Sequence, residues 1–162
     1  MRLTTFTDYS LRVLIYLAVN GEQNTTIAQI AQTYGISRNH LMKVVHELSQ
    51  KHYLIALRGK NGGLRLNRPP SEINIGELVR AMENDFAIAE CFGQNNQCVL
   101  TPACSLRTVL DEALEAFLAV LDAHTLEDIL PRRGRKSLTT IYTLSLHDAL
   151  PIIGRASCRE RV

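Results

Sequence analysis

Apolar residues recur every three or four positions through residues 11–19, a period that predicts a helix with one buried face. A capping-box pattern at residues 5–8 predicts where this helix begins. The same kind of signal at residues 26–29 predicts a second, shorter helix, and Gly35 predicts the tight turn that ends it. The chain is therefore expected to start with two amphipathic helices.

A third predicted helix has a polar outer face. It follows Ser37, which is a favoured N-cap residue. Its apolar positions repeat at helical spacing and are Leu41, Val44, Val45 and Leu48. A short helix, a glycine turn and a helix with a polar outer face are typical of a helix-turn-helix DNA-binding unit.

Two β-prone segments come next, at residues 53–57 and 63–66. The sequence R-G-K-N-G lies between them, and Asn-Gly is a strong signal for a hairpin turn. A basic-tipped hairpin directly after a helix-turn-helix predicts a wing. The expected fold class is mainly α with a small β-hairpin, a winged helix-turn-helix.

The remaining pattern predicts two more helices. One lies within residues 73–82, and a longer one begins at Thr101-Pro102, an N-cap followed by proline at the first helical position. The long helix carries a broad apolar stripe that ends at Leu121 and needs a partner surface. Because DNA readers of this type usually bind paired half-sites, we expect a second copy of the chain to cover the stripe.

Charge is divided unevenly along the chain. Residues 1–68 carry nine basic side chains against three acidic ones, and residues 69–131 carry two against eleven. A basic first half is typical of a protein that binds a polyanion. Together with the periodicity, this division predicts a DNA-binding domain at residues 1–70 and a segment with a loop and a dimerisation helix at residues 71–131.

The end of the chain differs in character. Residues 132–136 are mostly basic, and the string after them has little periodicity and resembles translated sequencing-adapter read-through. We expect residues 132–162 to be a non-native tail, which removes Cys158 from the search for ligands. A genuine disordered basic tail is the alternative.

The sequence gives no sign of a membrane or secretory protein. The longest apolar run, residues 13–19, is too short to span a bilayer, and no signal-peptide pattern follows the first residue. We therefore expect a cytoplasmic protein with no membrane partner. In that reducing compartment, clustered cysteines are more often metal ligands or redox groups than structural disulfides.

Three cysteines, Cys91, Cys98 and Cys104, lie within fourteen residues of one another. Cys104 is expected in the first turn of the long helix, where the helix N-terminus stabilises a thiolate. Three thiolates suit an iron–sulfur cluster and zinc equally well. They leave one coordination position open, and spacing does not identify the fourth ligand, since Arg107 cannot ligate a metal.

With these features the chain resembles a known family, the winged-helix repressors that carry an iron–sulfur cluster. The resemblance covers residues 1 to about 130. It rests on the three cysteines with T-P-A-C and on M-R-L-T-T-F-T-D-Y-S-L-R, S-R-N-H-L-M-K-V and R-G-K-N-G-G-L-R-L. Within the family, the chain is most similar to the branch of nitric-oxide-sensing repressors.

The resemblance implies one iron–sulfur cluster per subunit, 2Fe-2S or 4Fe-4S. Its implied ligands are Cys91, Cys98 and Cys104 and, from the other chain of a homodimer, Asp8 of the partner subunit. The branch that regulates cluster assembly has a histidine ligand where this chain has Arg107. From the residues alone, Asp8 is better explained as an acid that caps the first helix, and the two roles are compatible.

The implied function is that of a repressor, and the chain is not expected to be an enzyme. A homodimer would bind an inverted repeat in double-stranded DNA, and nitric oxide would relieve repression of nitric-oxide detoxification genes by attacking the cluster iron. Arginine pairs well with guanine and asparagine with adenine. The expected DNA contacts are Ser37, Arg38, Asn39, His40 and Lys43 in the third helix and Arg58, Lys60 and Asn61 in the wing.

Three other functions are compatible with parts of the sequence. A regulator that responds to iron or to cluster assembly shares the fold and the cluster and differs in its signal. A zinc-stabilised DNA-binding protein without sensing shares the thiols. An enzyme or electron carrier is disfavoured, because the sequence has neither a nucleotide-binding glycine motif nor an acid–base constellation.

Overall fold

The structure is a computed structural model, and it describes residues 2–21, 23–57, 59 and 62–131. Residues 1–131 group as one compact unit. The helices and strands are α1 (Thr5–Asn20), α2 (Ile27–Tyr34), α3 (Arg38–Gln50), β1 (Leu54–Leu57), β2 (Gly63–Leu66), α4 (Ile75–Met82) and α5 (Ser105–Asp122). Single 3₁₀ turns lie at Pro70–Glu72, Glu90–Phe92, Thr101–Ala103 and Glu127–Ile129.

The mainly helical fold with one antiparallel hairpin confirms the predicted fold class. The tail, residues 132–162, lies outside the described residues, and its interpretation stays a prediction.

The first two helices begin with capping threonines. The N-cap of α1 is Thr4, whose Oγ1 accepts a hydrogen bond from the Thr7 backbone N–H at 3.2 Å. The helix therefore begins at Thr5 as predicted, but its capping residue is Thr4, because the preceding threonine occupies the extended cap position. In α2 the predicted capping box is confirmed, since Thr26 and Gln29 each accept from the other's backbone N–H.

The helix-turn-helix is built on one hydrophobic core. Gly35 ends α2 in the left-handed conformation at φ 63°, a backbone geometry that glycine adopts without strain. The fully buried side chains come from four helices, from strand β1, and from the segments just before α4 and just after α5. The largest of them are Leu14, Leu17, Ile30, Leu41, Leu48, Leu54, Ile73, Leu78 and Leu126. Because α1 and α3 share this core, a displacement of one is resisted by the packing of the other.

The wing, residues 54–66, is the β1–β2 hairpin, paired from Leu54 with Leu66 to Leu57 with Gly63. Its second strand also pairs with Thr25, since the Leu64 N–H donates to the Thr25 carbonyl at 2.7 Å. A Cβ on Gly63 would lie 3.0 Å from both the Thr25 carbonyl oxygen and Asn24 Cβ. Glycine therefore permits the close approach that anchors the wing to the loop before α2.

The long helix begins later than predicted. Thr101–Ala103 form a separate 3₁₀ turn, and Cys104, with ψ 104°, is the N-cap of α5 rather than part of its first turn. The Thr101 hydroxyl donates to the Cys98 carbonyl at 2.9 Å and accepts from Asn96 Nδ2 at 2.9 Å. The Thr101 hydroxyl thus bonds to the Cys98 carbonyl instead of capping the helix, and no side-chain capping bond forms at Cys104.

Helix α5 presents apolar side chains to solvent. It is described over its full length, and none of its residues is fully buried. Leu106, Val109 and Val120 are each about 60 % exposed. This arrangement is unlike that of α4, whose buried face includes Leu78 and Val79. None of the described helices is long and apolar enough to cross a membrane.

Candidate DNA-binding surface and cysteine loop

The outer face of α3 carries the residues predicted to contact DNA. The inner face of the helix is buried through Leu41, Val44, Val45 and Leu48, as its periodicity predicted. The predicted contacts at its start and on its outer face are all exposed, and they are Ser37, Arg38, Asn39, His40 and Lys43. Packing of one face against the core therefore presents all five to solvent on a rigid element.

An open cleft of about 590 Å³ separates the start of α3 from the wing. Arg38 and Asn39 line one side, and the glycines of the wing tip, Gly59 and Gly62, line the other. The Gly62 N–H donates to the Gly59 carbonyl at 2.9 Å and closes the tip. The predicted wing contacts Arg58, Lys60 and Asn61 lie outside the described residues, so their positions stay predictions.

Met42 belongs to this surface, although the sequence prediction omitted it. Its side chain is 51 % exposed and lines the same cleft as Arg38 and Asn39. The helical period could have identified it, because Met42 lies four positions after Arg38 and three after Asn39, and therefore on the same face of the helix. An exposed thioether beside polar side chains suits apolar contact with a base methyl group.

Other basic residues of the first seventy have partners within the protein, and Lys51 and Arg68 are two of them. Lys51 Nζ lies 3.2 Å from Glu47 Oε1 in an i, i+4 ion pair on α3. The Arg68 guanidinium lies 4.9 Å from the ring centre of Tyr53. Burial raises the pKa of Tyr53, and the nearby Arg68 charge opposes that rise. These two cations are therefore weaker candidates for DNA contact than those on the cleft.

The cysteine loop, residues 83–104, carries three free thiols. Cys91 and Cys104 are half-buried, and Cys98 is exposed. In the part of the chain that is described, no three His, Cys, Asp or Glu side chains lie close enough together to hold one metal ion. The donor set still fits a soft metal in number and kind, because all three sulfurs are unpaired and lie on one short segment.

Internal contacts shape the cysteine loop. Glu90 Oε1 accepts from the Gln97 N–H at 3.0 Å, so this nearby acid supports the loop backbone. The Arg107 guanidinium lies 5.8 Å from the ring centre of Phe92, which connects the first turn of α5 with the turn that contains Cys91. Beside Cys98, Val99 is 89 % exposed and presents an apolar side chain to solvent.

Asp8 lies in the first turn of α1 and does not supply the capping bond, which comes from Thr4. Its carboxylate pairs with Arg12 at 3.0 Å, and both side chains are nearly half exposed. The Arg12 guanidinium also lies 5.8 Å from the ring centre of Tyr34. Asp8 and these two neighbours line an open pocket of about 650 Å³, so the carboxylate is accessible from outside its own chain.

The fold and this surface define a winged-helix transcriptional regulator. Residues 3–132 match the Rrf2 family, described as "Iron-dependent Transcriptional regulator", and the chain belongs to that family. It is 55 % identical over 136 residues to the HTH-type transcriptional regulator NsrR of Bacillus subtilis, covering 82 % of this chain and 92 % of the relative. It is 53 % identical over 132 residues to NsrR of Bacillus licheniformis, a match that covers 80 % of this chain and 92 % of that relative.

Solved structures agree with this assignment. The cysteine regulator CymR of B. subtilis superposes with a TM-score of 0.62 at 28 % identity and covers 80 % of this chain and 95 % of its own. IscR of T. potens superposes with a TM-score of 0.64 at 23 % identity. The match covers 80 % of this chain and 85 % of that structure, and it supports the fold. The predicted resemblance is confirmed, and the named relatives are transcriptional regulators rather than enzymes, as expected.

Proposed function

We propose that this chain is a nitric-oxide-sensitive repressor whose DNA binding is controlled by a bound iron–sulfur cluster. The observation that carries the proposal is the placement of three free thiols on one loop directly before α5, a helix with an uncovered apolar face. Similarity to regulators named NsrR supports the same function. DNA binding would place the protein in the cytoplasm.

A homodimer would cover the apolar side of α5. Leu106, Val109 and Val120 are about 60 % exposed, and burying such side chains is favourable by roughly 25 cal/mol per Å² of apolar surface. A second copy offers the same surface, which is the arrangement of a twofold interface. The dimer would then present two α3 helices to the two halves of an inverted repeat.

Each α3 helix would enter the major groove of double-stranded DNA. Arg38 and Asn39, on the cleft, are suited to bidentate hydrogen bonds with guanine and adenine. Met42 would contact a thymine methyl group. The remaining contacts from α3 would be Ser37, His40 and Lys43, and the wing residues Arg58, Lys60 and Asn61 would reach the backbone or the minor groove.

Cys91, Cys98 and Cys104 together with Asp8 of the partner subunit would hold one 2Fe-2S or 4Fe-4S cluster per subunit. When bound, the cluster would supply iron that reacts with nitric oxide. Asp8 belongs to α1, which shares a core with α3. Ligation by Asp8 would hold α1 in place, and its release would loosen α3 on the DNA and relieve repression of nitric-oxide detoxification genes.

A regulator of iron supply or cluster assembly is the second candidate. The description of the matched family, "Iron-dependent Transcriptional regulator", favours it. The fold, thiols and DNA surface would be the same, and only the signal would differ. Titration of the holo protein with nitric oxide, and separately with an iron chelator, distinguishes the two.

The test is anaerobic purification of the full chain followed by iron, sulfide and zinc analysis and a DNA gel shift before and after stoichiometric nitric oxide. Cys98→Ala should lose iron, and Cys158→Ala, which changes the cysteine outside the loop, is the matched control. Iron and sulfide with nitric-oxide-sensitive binding support the proposal. Binding that is unchanged by nitric oxide, or a colourless zinc protein, contradicts it.

A further inference from the structure

We propose that the ion pair between Arg80 and Asp122 sets the direction in which α5 leaves the DNA-binding domain, and thereby selects the spacing between the two operator half-sites. The inference rests on the proposed dimer and adds to it the residues that determine which inverted repeats fit. It concerns the junction of α4 with the end of α5.

The pair joins the last turn of α4 to the last residue of α5 through two parallel hydrogen bonds, which link two guanidinium nitrogens to the two carboxylate oxygens. Arg80 Nη2 donates to Asp122 Oδ2 at 2.7 Å, and Arg80 Nη1 donates to Asp122 Oδ1. The Arg80 hydrogen bonds hold the pKa of Asp122 below its ordinary value. A two-point bond between a planar guanidinium and a carboxylate fixes relative orientation as well as distance.

Gly76 allows the two helices to meet at this point. A Cβ at position 76 would overlap the Asp122 carboxylate and lie 2.9 Å from the Asp122 backbone nitrogen. The first turn of α4 therefore contacts the end of α5 almost backbone to backbone. Such close contact leaves little freedom for α5 to tilt while the ion pair is intact.

Hydrogen bonds to backbone carbonyls complete the junction. Asn74 Nδ2 donates to the Asp122 carbonyl at 2.7 Å, and the Ile75 N–H donates to the His124 carbonyl at 2.9 Å. The Leu126 N–H donates to the Ile73 carbonyl at 2.8 Å, and the Leu126 side chain is fully buried. The C-terminal end of α5 is thus fixed to the core, while the exposed apolar side chain of Leu106 lies near its other end.

This geometry makes α5 a lever. Its 18 residues span about 27 Å at 1.5 Å per residue. A rotation of about 10° at Asp122 moves the far end by about 5 Å, which exceeds the rise of one base pair, about 3.4 Å. If the dimer contact lies along α5, a change at the junction is large enough to change half-site spacing by about one base pair.

The experiment measures spacing preference with the full-length protein. A half-site is first obtained by selection from random duplex DNA, and inverted repeats are then built with spacers that differ by one base pair. Affinities are compared for wild type, Arg80→Gln, Asp122→Asn and the exchanged pair Arg80→Asp with Asp122→Arg. Lys51→Gln, which breaks the ion pair on α3 instead, is the matched control.

Wild type and Lys51→Gln should favour one spacer by about 10-fold over its neighbours. Arg80→Gln and Asp122→Asn should reduce this preference to about 3-fold or less while affinity for a single half-site is unchanged. The exchanged pair should restore a sharp preference. A role in stability alone would shift the urea midpoint and leave the preference intact.

Two results would overturn the inference. If folded Arg80→Gln and Asp122→Asn proteins keep the wild-type spacer profile, the ion pair does not set spacing, and the proposed dimeric repressor stands. If wild type shows no preference for paired half-sites, the proposed dimeric mode of binding fails and the inference fails with it. Far-UV circular dichroism and the milder Asp122→Asn variant separate both results from unfolding.

Discussion

The Glu83 carboxylate accepts two hydrogen bonds from Thr4: one from its backbone N–H at 2.8 Å and one from its hydroxyl at 3.2 Å. Thr4 caps α1, and Glu83 is the C-cap of α4 and the first residue of the cysteine loop. These two hydrogen bonds therefore connect the start of the helix that carries Asp8 with the start of the loop that carries the thiols. The cysteine loop therefore contacts the first helix of the winged helix-turn-helix fold directly.

Replacing Glu83 with Ala should destabilise the protein by about 1 kcal/mol, the usual net value of a lost hydrogen bond. Glu83→Gln keeps an oxygen acceptor and should lose less. The free energy of unfolding in urea measures both effects. Glu112→Ala, on the exposed side of α5, is the control and should change stability by less than about 0.5 kcal/mol. Equal values for Glu83→Ala and Glu112→Ala would contradict the structural role of the bond.

Asp8→Ala and Arg12→Ala should separate cluster ligation from ion pairing. Both variants break the same surface ion pair, which contributes about 0.5 kcal/mol or less to stability. Only Asp8→Ala removes the proposed ligand, so only that variant should lose iron faster under anaerobic dialysis. Visible absorbance and iron analysis give the rates. Identical rates for the two variants would exclude ligation by Asp8.

Met42→Ala should weaken specific DNA binding through lost apolar contact, by about 1 kcal/mol or 5-fold. The salt dependence of binding should stay the same, because no charge is removed. Lys43→Ala, on the neighbouring exposed position, should instead reduce the slope of log affinity against log salt by about 1 if the lysine contacts a phosphate. Fluorescence anisotropy at several salt concentrations tests the pair. A changed slope in Met42→Ala would argue against the proposed contact.

His52→Gly should stabilise the fold by roughly 0.5–1 kcal/mol. His52 follows α3 with φ 60°, the left-handed region that favours glycine, and its side chain is exposed. The Tyr53 N–H reaches back to the Leu48 carbonyl at 2.9 Å, so the turn requires this conformation. Thermal unfolding measures the gain. His52→Ala retains the strain and should show none, and a similar increase in both variants would point to a side-chain effect.

Asp128 should make stability depend on pH near the range in which carboxyl groups titrate. Hydrogen bonds from the Thr125 N–H at 2.7 Å and hydroxyl at 2.8 Å hold the pKa of Asp128 below its ordinary value. A lowered folded-state pKa stabilises the fold above the unfolded-state pKa, about 3.9. That stabilisation is lost as pH falls through the folded-state pKa. The difference in urea midpoint between wild type and Asp128→Asn should therefore shrink on acidification from pH 6, and a constant difference would refute the effect.

Local patterns predicted most of the helix-turn-helix and the wing. The capping box at Thr26, the glycine turn at Gly35 and strand β2 all lie where the sequence indicated. These features depend on neighbouring residues, and hydrogen bonds within a few positions determine them. The predicted start of α5 is wrong because the Thr101 hydroxyl bonds to the Cys98 carbonyl instead of capping the helix, which the local pattern does not reveal.

The sequence by itself determined the helical periods, the turn glycines, the division of charge and the presence of three thiols on one short segment. Only the tertiary structure decided that Glu83 accepts hydrogen bonds from Thr4 and that Met42 lines the cleft. It also decided that Arg80 and Gly76 contact the end of α5. The physical reason is separation along the chain. Periodicity and capping act over a few residues, whereas contacts between residues 79 or 42 positions apart depend on how whole elements pack around the shared core.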